Sequence, residues 1–236
     1  ARISALVPDE VSKVGLVGAA VSDHPRIKDL LRELVDVRGK RIGISSLRAN
    51  RLDEEFVGLL ARGGYRSMTI GLDAASERLR VEVEKGIKAE HVLESTRLAK
   101  AAGMHHLKIY VVVGLPGEDE ADLDELMSLA NELSRLLPVK LGVSPLVPKF
   151  HTPLATAPFV GEARVAAILK HLRRAAGRRV EVRSSGAREA YVEYRLSQGG
   201  LEHGAAAVGV MRAGGRLSDW KRALAELPER HRPSNF

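Results

Sequence analysis

Polar residues that could bind a small molecule or move protons follow short apolar segments along this sequence. The groups are Ser22, Asp23 and His24; Ser45, Ser46 and Arg48; Asp73; Gly114 and Glu118; and Ser144 with Lys149. Their carboxylate, hydroxyl and guanidinium groups are the donors and acceptors that polar ligands need. If the apolar segments are parallel strands, their carboxyl ends meet at one rim and these groups form one site. Polar loop residues are common, so the argument depends on the groups taken together.

The clearest apolar segment covers residues 109–113 and must position Gly114 and Glu118. It is rich in β-branched residues and ends at Gly-Leu-Pro-Gly, which predicts a strand buried on both faces. Acidic residues 118–120 then favour a helix start, and the helix is predicted to reach residue 137. Ligands gather at the carboxyl ends of parallel strands, so residues 114–118 are the first place to look for a site.

Strands and helices are predicted to alternate over the rest of the chain. Further strands are predicted at residues 13–18, 41–46, 66–72 and 140–147, with an edge strand at 179–184 and short helices after it. Alternation at roughly 30-residue spacing indicates right-handed βαβ units and a parallel sheet. Neither GxGxxG after the first strand nor GxxxxGK[ST] occurs, which favours a barrel over a dinucleotide or P-loop fold.

Composition limits the classes of function. The chain has 236 residues, of which 44% are hydrophobic and 28% charged, which predicts one large soluble domain with at most a small appendage. No apolar run approaches a membrane span and no leader pattern is present, so we expect a cytoplasmic protein without membrane contact. The chain has no cysteine, which excludes disulfides, thiolate-bound zinc, a cysteine nucleophile and a cysteine-held iron–sulfur cluster on this chain.

The net charge of +7 raises the question of RNA binding. The densest basic cluster, residues 170–183, contains no aromatic residues for base stacking, and aromatics make up only 4% of the chain. An arginine-rich solvated surface is therefore favoured over an RNA-binding one.

Three segments of the sequence resemble radical SAM enzymes. They are SSLRANRLDEEFVGLLARGGYRSMTIGLDAASERLR, KIYVVVGLPGEDEAD and VSPLVPKFHTPLATAPF, in this order. The resemblance covers roughly residues 13–159 and is closest to methylthiotransferase and Elongator-type proteins, the group with an upstream cobalamin-binding-like domain. It implies a partial (β/α)6 barrel in which CxxxCxxC, after the first strand, holds a 4Fe–4S cluster that cleaves S-adenosylmethionine (SAM).

The sequence departs from the family pattern at the cluster, because the cysteines and the strand before them are absent. Residues 13–18 resemble the second strand of the family and residues 1–7 the end of the preceding helix. We expect an α/β fold, a partial TIM-type (β/α)6 barrel without its first strand (1–159), followed by a small helical extension (160–236). A fragment is favoured over a natural truncation, because an unpaired strand edge should be covered. The missing N-terminal part would then be the partner of this chain and would bring the 4Fe–4S ligands.

The resemblance assigns the methionine end of SAM to the first strand exits. Gly18, Ala19 and Ala20 lie where many family members have Gly-Gly-Glu, whose Glu contacts the methionine amino group. Without that Glu, the contact would have to come from the main chain or from Ser22. Ser45, Ser46 and Arg48 would face the methionine, and Arg48 could pair with its carboxylate in a bidentate fork.

The adenosine end is assigned to the later exits. Asp73 would accept hydrogen bonds from the ribose hydroxyls. Val112, Val113 and Gly114 would pack on the adenine through main chain and side chains, with Glu118 ending the motif. Ser144, within residues 143–146, would close the other side of the base. The resemblance assigns no catalytic or metal-ligating residue to this chain.

The function that the resemblance implies is that of the SAM-binding barrel of an iron–sulfur enzyme. The intact protein would generate a 5′-deoxyadenosyl radical that takes hydrogen from an unidentified substrate, whereas this chain alone is expected to be inactive. Two alternatives remain: a cluster-free barrel that docks a partner protein through its open edge, and a metal-free lyase or isomerase using Asp73, His24 and Lys149 as acid and base.

Overall fold

The strands and helices alternate as the sequence predicts. The computed structural model describes residue 4, residues 6–18 and residues 21–228. Two predictions fall wholly or partly outside these residues: the helix end at residues 1–7, and the part of the methionine contact at Ala19 and Ala20. The strands are β1 Lys13–Leu16, β2 Arg41–Ile44, β3 Ser67–Gly71, β4 His106–Val113, β5 Val139–Pro145 and β6 Val180–Ser184.

All of these strands pair in parallel and in chain order. β1 pairs with β2, and β3, β4, β5 and β6 form a second ladder. A parallel bridge between Leu47 and Ile70 joins the two sheets, with the Leu47 N–H donating to the Thr69 carbonyl at 2.8 Å. The predicted α/β fold of parallel strands, in the form of a partial barrel, is confirmed. β1 and β6 form the two edges of this array.

Helices fill the connections between the strands. They are α1 Ile27–Arg32, continued by a π-helical turn Glu33–Val37, then α2 Glu54–Arg62, α3 Glu77–Glu82, α4 Ala89–Ala101, α5 Glu120–Ser134 and α6 Glu162–Ala175. Helices α2 and α3 each begin at an N-cap side chain: Asp53 accepts from the Phe56 N–H at 2.9 Å and Ser76 from the Leu79 N–H at 3.4 Å.

The C-terminal region adds helices, as expected. They are α7 Ala187–Ser197, α8 Leu201–Arg212 and α9 Leu217–Ala225. β6, from beyond residue 159, extends the sheet, and the domain boundary at that residue stays a prediction. Within the described residues, no helix has both the length and the apolarity needed to cross a membrane.

One face of the sheet carries the hydrophobic core and the other does not. Ile109, Val111 and Val113 of β4 are at most 2% exposed and pack with the helices, whereas Tyr110 on the same strand is 51% exposed. The prediction that this strand is buried on both faces is therefore wrong, because the helices that bury Ile109, Val111 and Val113 pack on one side of the sheet and Tyr110 lies on the other. We call the other side the open face; it carries Lys13, Gly15, Arg41, Gly43, Ser67, Thr69, Gly71, His106, Lys108, Tyr110, Val112, Lys140, Gly142, Ser144, Glu181 and Arg183.

Candidate functional site

Three polar side chains converge above Gly71, at the end of β3. A Cβ added to Gly71 would lie 3.4 Å from Asp73 Oδ1 and 3.7 Å from both Lys85 Nζ and Ser46 Oγ. Asp73 has φ 65°, in the left-handed region, which turns the chain sharply after the strand and which Asp tolerates better than most residues. Its half-exposed carboxylate forms an ion pair with Lys85. We call these side chains the Gly71 cluster: Ser46, Asp73 and Lys85.

Arg48 contacts both Asp23, which follows β1, and Lys85 of the Gly71 cluster. Its guanidinium donates to the Lys85 carbonyl at 2.9 Å, and its Nε lies 3.9 Å from Asp23 Oδ2. Asp23 follows β1 and accepts a hydrogen bond from Ser22 Oγ at 3.3 Å. The structure thus brings together Ser22, Arg48 and Asp73, which lie on different connections. Part of the Arg48 donor capacity is already used within the protein.

The turn after β4 is held by Glu118. Gly114 has φ 80°, and an added Cβ would lie 3.0 Å from Val160 Cγ2, so a side chain would be strained and crowded there. The Gly114 N–H donates to Glu118 Oε1 at 2.7 Å. Glu118 therefore closes the Gly-Leu-Pro-Gly turn and fixes the end of β4.

The environment of Glu118 disfavours its charged form. Its Oε2 is buried and has no hydrogen-bond partner among the described residues. Burial raises the pKa of Glu118 to about 7; the Gly114 hydrogen bond opposes this rise, the Asp122 charge adds to it and Arg164 lowers it. The Glu118 carboxyl group therefore keeps its proton to a higher pH than an exposed glutamate does.

A cavity of about 280 Å³ lies at the exits of β4 and β5. Its lining includes Val112, Ser144, Lys149, Ser185 and Glu193. Val112 and Ser144 belong to the open face, as their assignment to the base requires. Val113 is fully buried in the core, so a contact between Val113 and a base would have to involve its main chain.

Helix α7 forms one wall of this cavity, which the sequence did not indicate. Lys149 Nζ and Glu193 Oε1 form a 2.7 Å ion pair, and Gln198 Nε2 donates to the Pro148 carbonyl at 2.6 Å. Phe159 stacks on Tyr194 with 4.8 Å between the ring centroids. Lys149 and Glu193 are 44 residues apart, and neither sequence motif nor periodicity links such a pair.

The remaining assigned residues are less tightly placed. Gly18 and Ser45 are exposed, and in the described part of the chain no hydrogen bond joins the Ser45 side chain to the other site residues. Each residue of the acid–base trio in the lyase alternative contacts a partner outside the trio. Asp73 pairs with Lys85, Lys149 pairs with Glu193, and His24 Nδ1 accepts from the Arg26 N–H at 3.1 Å.

Comparison with known proteins defines the class. The family model described as the radical SAM superfamily matches residues 1–130, more than half of the chain. The chain belongs to the radical SAM superfamily.

Two curated relatives share part of this sequence. The chain is 34% identical over 145 residues to an uncharacterized protein of Methanocaldococcus jannaschii, MJ0966, covering 61% of this chain and 32% of that protein. It is 26% identical over 89 residues to the uncharacterized methyltransferase PH0819 of Pyrococcus horikoshii, covering 38% of this chain and 19% of that protein. The chain therefore spans about a third of the length of the first relative and about a fifth of the second.

Solved structures support the fold. SuiB of Streptococcus suis aligns with a TM-score of 0.52 at 14% identity, covering 77% of this chain and 41% of that chain. SuiB bound to S-adenosylmethionine aligns with a TM-score of 0.50 at 13% identity, over the same shares of the two chains. At these identities the likeness shows a common fold.

The residues of this chain do not fit a 4Fe–4S cluster. The sequence has no cysteine, and the described residues contain no group of three or more His, Cys, Asp or Glu side chains that could hold a metal ion. The half-exposed carboxylate of Asp73 could accept hydrogen bonds from a ribose, and the cavity lined by Val112 and Ser144 offers space for a planar base.

Proposed function

We propose that this chain is the SAM-binding barrel of a radical SAM enzyme. The observation that carries the proposal is the convergence of Ser46, Asp73 and Lys85 around Gly71, at the carboxyl ends of parallel strands, in a member of this superfamily. Superfamily membership alone would leave the position of the site open, and the Gly71 cluster supports a position at the end of β3.

Each part of SAM has a partner in this proposal. The Asp73 carboxylate accepts hydrogen bonds from the ribose hydroxyls, and the Lys85 ammonium holds that carboxylate in place. Val112 and Ser144 contact the adenine, and Glu118 keeps Gly114 in the turn beside it. The Arg48 guanidinium, with its side chain 30% exposed, pairs with the methionine carboxylate.

Radical generation belongs to the intact protein in this proposal. The thiolates that a cluster needs are not among these 236 residues, so an N-terminal part of the same protein would have to supply them. The methylthiotransferase or Elongator-type subgroup, an upstream cobalamin-binding-like domain and a cytoplasmic location are finer parts of the proposal that rest on sequence alone.

The test is binding of SAM and of 5′-deoxyadenosine to the 236-residue chain, followed by ligand-observed NMR. Without the cluster, we expect dissociation constants on the order of 1 mM, about 4 kcal/mol of binding free energy. Asp73→Asn should weaken both ligands about tenfold, because both carry the ribose and hydrogen bonds to charged groups contribute about 1.5–3 kcal/mol. Asn also tolerates the left-handed backbone.

The matched control is Asp36→Asn, because Asp36 also forms an ion pair, with Arg62 at 2.9 Å, away from the strand exits. Equal effects of the two variants would contradict the assignment of Asp73. Arg48→Ala should weaken SAM more than 5′-deoxyadenosine, although loss of its hydrogen bond to the Lys85 carbonyl will weaken both somewhat. If a cooperatively folded wild-type chain binds neither ligand at several millimolar, the proposal fails.

A further inference from the structure

An aromatic side chain lies in the middle of the open face with no side chain beside it on either neighbouring strand. The parallel register places Tyr110 of β4 opposite Gly71 of β3 and Gly142 of β5. A Cβ added to Gly142 would lie 2.7 Å from Tyr110 Cδ1, so the ring lies directly across the Gly142 main chain. Tyr110 is nevertheless 51% exposed. One side of the ring therefore rests on protein and the other is open to a ligand.

Two lysines lie directly beneath this ring on the same face. Lys108 precedes Tyr110 by two residues and pairs in register with Lys140 of β5. Residues two apart on a strand are separated by about 6.6 Å, which sets the distance between the row of Tyr110 and the row of the lysines. Both lysine residues are partly exposed.

The charges in this region do not balance. Glu181 of β6 pairs in register with Lys140, but it also binds Arg183 at 2.6 Å. Lys108 has no ion pair among the described residues. Like charges directly opposite each other on a sheet destabilise it, so Lys108 and Lys140 together carry a cost that a bound anion would offset.

The open face also adjoins the proposed SAM site. Val112 and Ser144 lie one row above Tyr110 and Gly142, and both line the cavity assigned to the adenine. A ligand that stacks on Tyr110 would thus lie next to the bound cofactor.

We propose that Tyr110, Lys108 and Lys140 form the substrate subsite of this protein, and that the substrate carries a planar ring and an acidic group. The ring stacks on Tyr110, and the acidic group, a carboxylate or a phosphate, binds between the two lysine ammonium groups. This inference rests on the proposed function, because it places the substrate beside the SAM site.

The test uses two pairs of probes on the 236-residue chain, with ligand-observed NMR and thermal shifts. The pairs are 3-phenylpropionate with its neutral amide, and uridine 5′-monophosphate with uridine. We expect at least one acidic probe to bind about tenfold more tightly than its neutral partner. If only 3-phenylpropionate binds more tightly than its neutral partner, the acidic group of the substrate is a carboxylate. If only uridine 5′-monophosphate does so, the acidic group is a phosphate.

Variants assign that preference to the subsite. Lys108→Gln and Lys140→Gln should each remove most of it, whereas Lys100→Gln, at an exposed position on helix α4, should leave it unchanged. Lys108→Gln should not lower the melting temperature, since it relieves like-charge repulsion, so its effect is not one of unfolding. Tyr110→Leu should weaken acidic and neutral probes alike, and Tyr110→Phe should retain binding.

SAM binding measured on the same samples separates this inference from the proposed function. If SAM binds but acidic and neutral probes bind equally, or if Lys100→Gln acts like Lys108→Gln, the subsite is wrong and the proposed function stands. If the acidic probes bind selectively through Lys108 and Lys140 while SAM does not bind, the subsite is right and the SAM proposal fails.

Discussion

Replacement of Glu118 by glutamine should remove a pH-dependent weakness from the fold. Glu118 is partly buried, its Oε2 has no partner among the described residues, and burial raises its pKa from 4.5 to about 7. Glutamine keeps a carbonyl oxygen for the Gly114 N–H, so the turn after β4 is retained. What the substitution removes is the charge.

The sign of the effect follows from proton counting. Between pH 4.5 and 7 the unfolded chain has lost the Glu118 proton while the folded protein still holds it, so the free energy of unfolding falls as pH rises. The full shift corresponds to about 3 kcal/mol, and the remaining solvent contact of the carboxyl group reduces our expectation to about 2 kcal/mol. Below pH 4.5 both states are protonated and the penalty disappears.

Urea denaturation of wild type and Glu118→Gln at several values between pH 4.5 and 8 measures this difference. From the low to the high end of that range, the free energy of unfolding of the variant should rise by about 2 kcal/mol relative to that of wild type. Glu132→Gln, exposed on the same helix α5, is the matched control and should show no such gain. The argument would be refuted if the difference in the free energy of unfolding between wild type and Glu118→Gln did not change with pH. It would also be refuted if Glu132→Gln showed the same change.

Further predictions concern side-chain packing and the iron–sulfur cluster. Ser76 Oγ donates to the buried Asp122 carboxylate at 2.6 Å and caps helix α3 at the Leu79 N–H, so Ser76→Ala should cost about 2 kcal/mol in urea denaturation; an unchanged midpoint would contradict this. Gly142→Ala should cost about 1–2 kcal/mol by displacing the Tyr110 ring, and this loss should vanish in a Tyr110→Ala background. Anaerobic reconstitution with iron and sulfide should leave the chain colourless, because it offers no thiolate; a stoichiometric brown product would prove that expectation wrong.

Much of the local structure was predictable because its signals are local. The β-branched run of β4 and the glycines after it, and the caps Asp53 and Ser76, are all features of neighbouring residues. The order of the strands follows from the same reasoning, since short βαβ connections place successive parallel strands side by side.

The candidate site was predicted in outline only. The principle that parallel strands end at one rim correctly brought Ser46 and Asp73 together. Which of two neighbouring valines faces a ligand depends on the side of the sheet that helices cover, and the structure buries Val113 while leaving Val112 on the open face. An uninterrupted apolar run contains no information about that choice.

The sequence by itself determined the alternation of parallel strands and helices, the polar residues at the strand exits and the absence of thiolates, because these depend on residue type and on spacing along the chain. Only the tertiary structure decided that Tyr110 is exposed between two glycines, that Lys108 and Lys140 lie opposite each other, and that α7 walls the cavity through Glu193. These contacts join segments about 30 to 45 residues apart, and their geometry is set by strand register and helix packing, which no local pattern specifies.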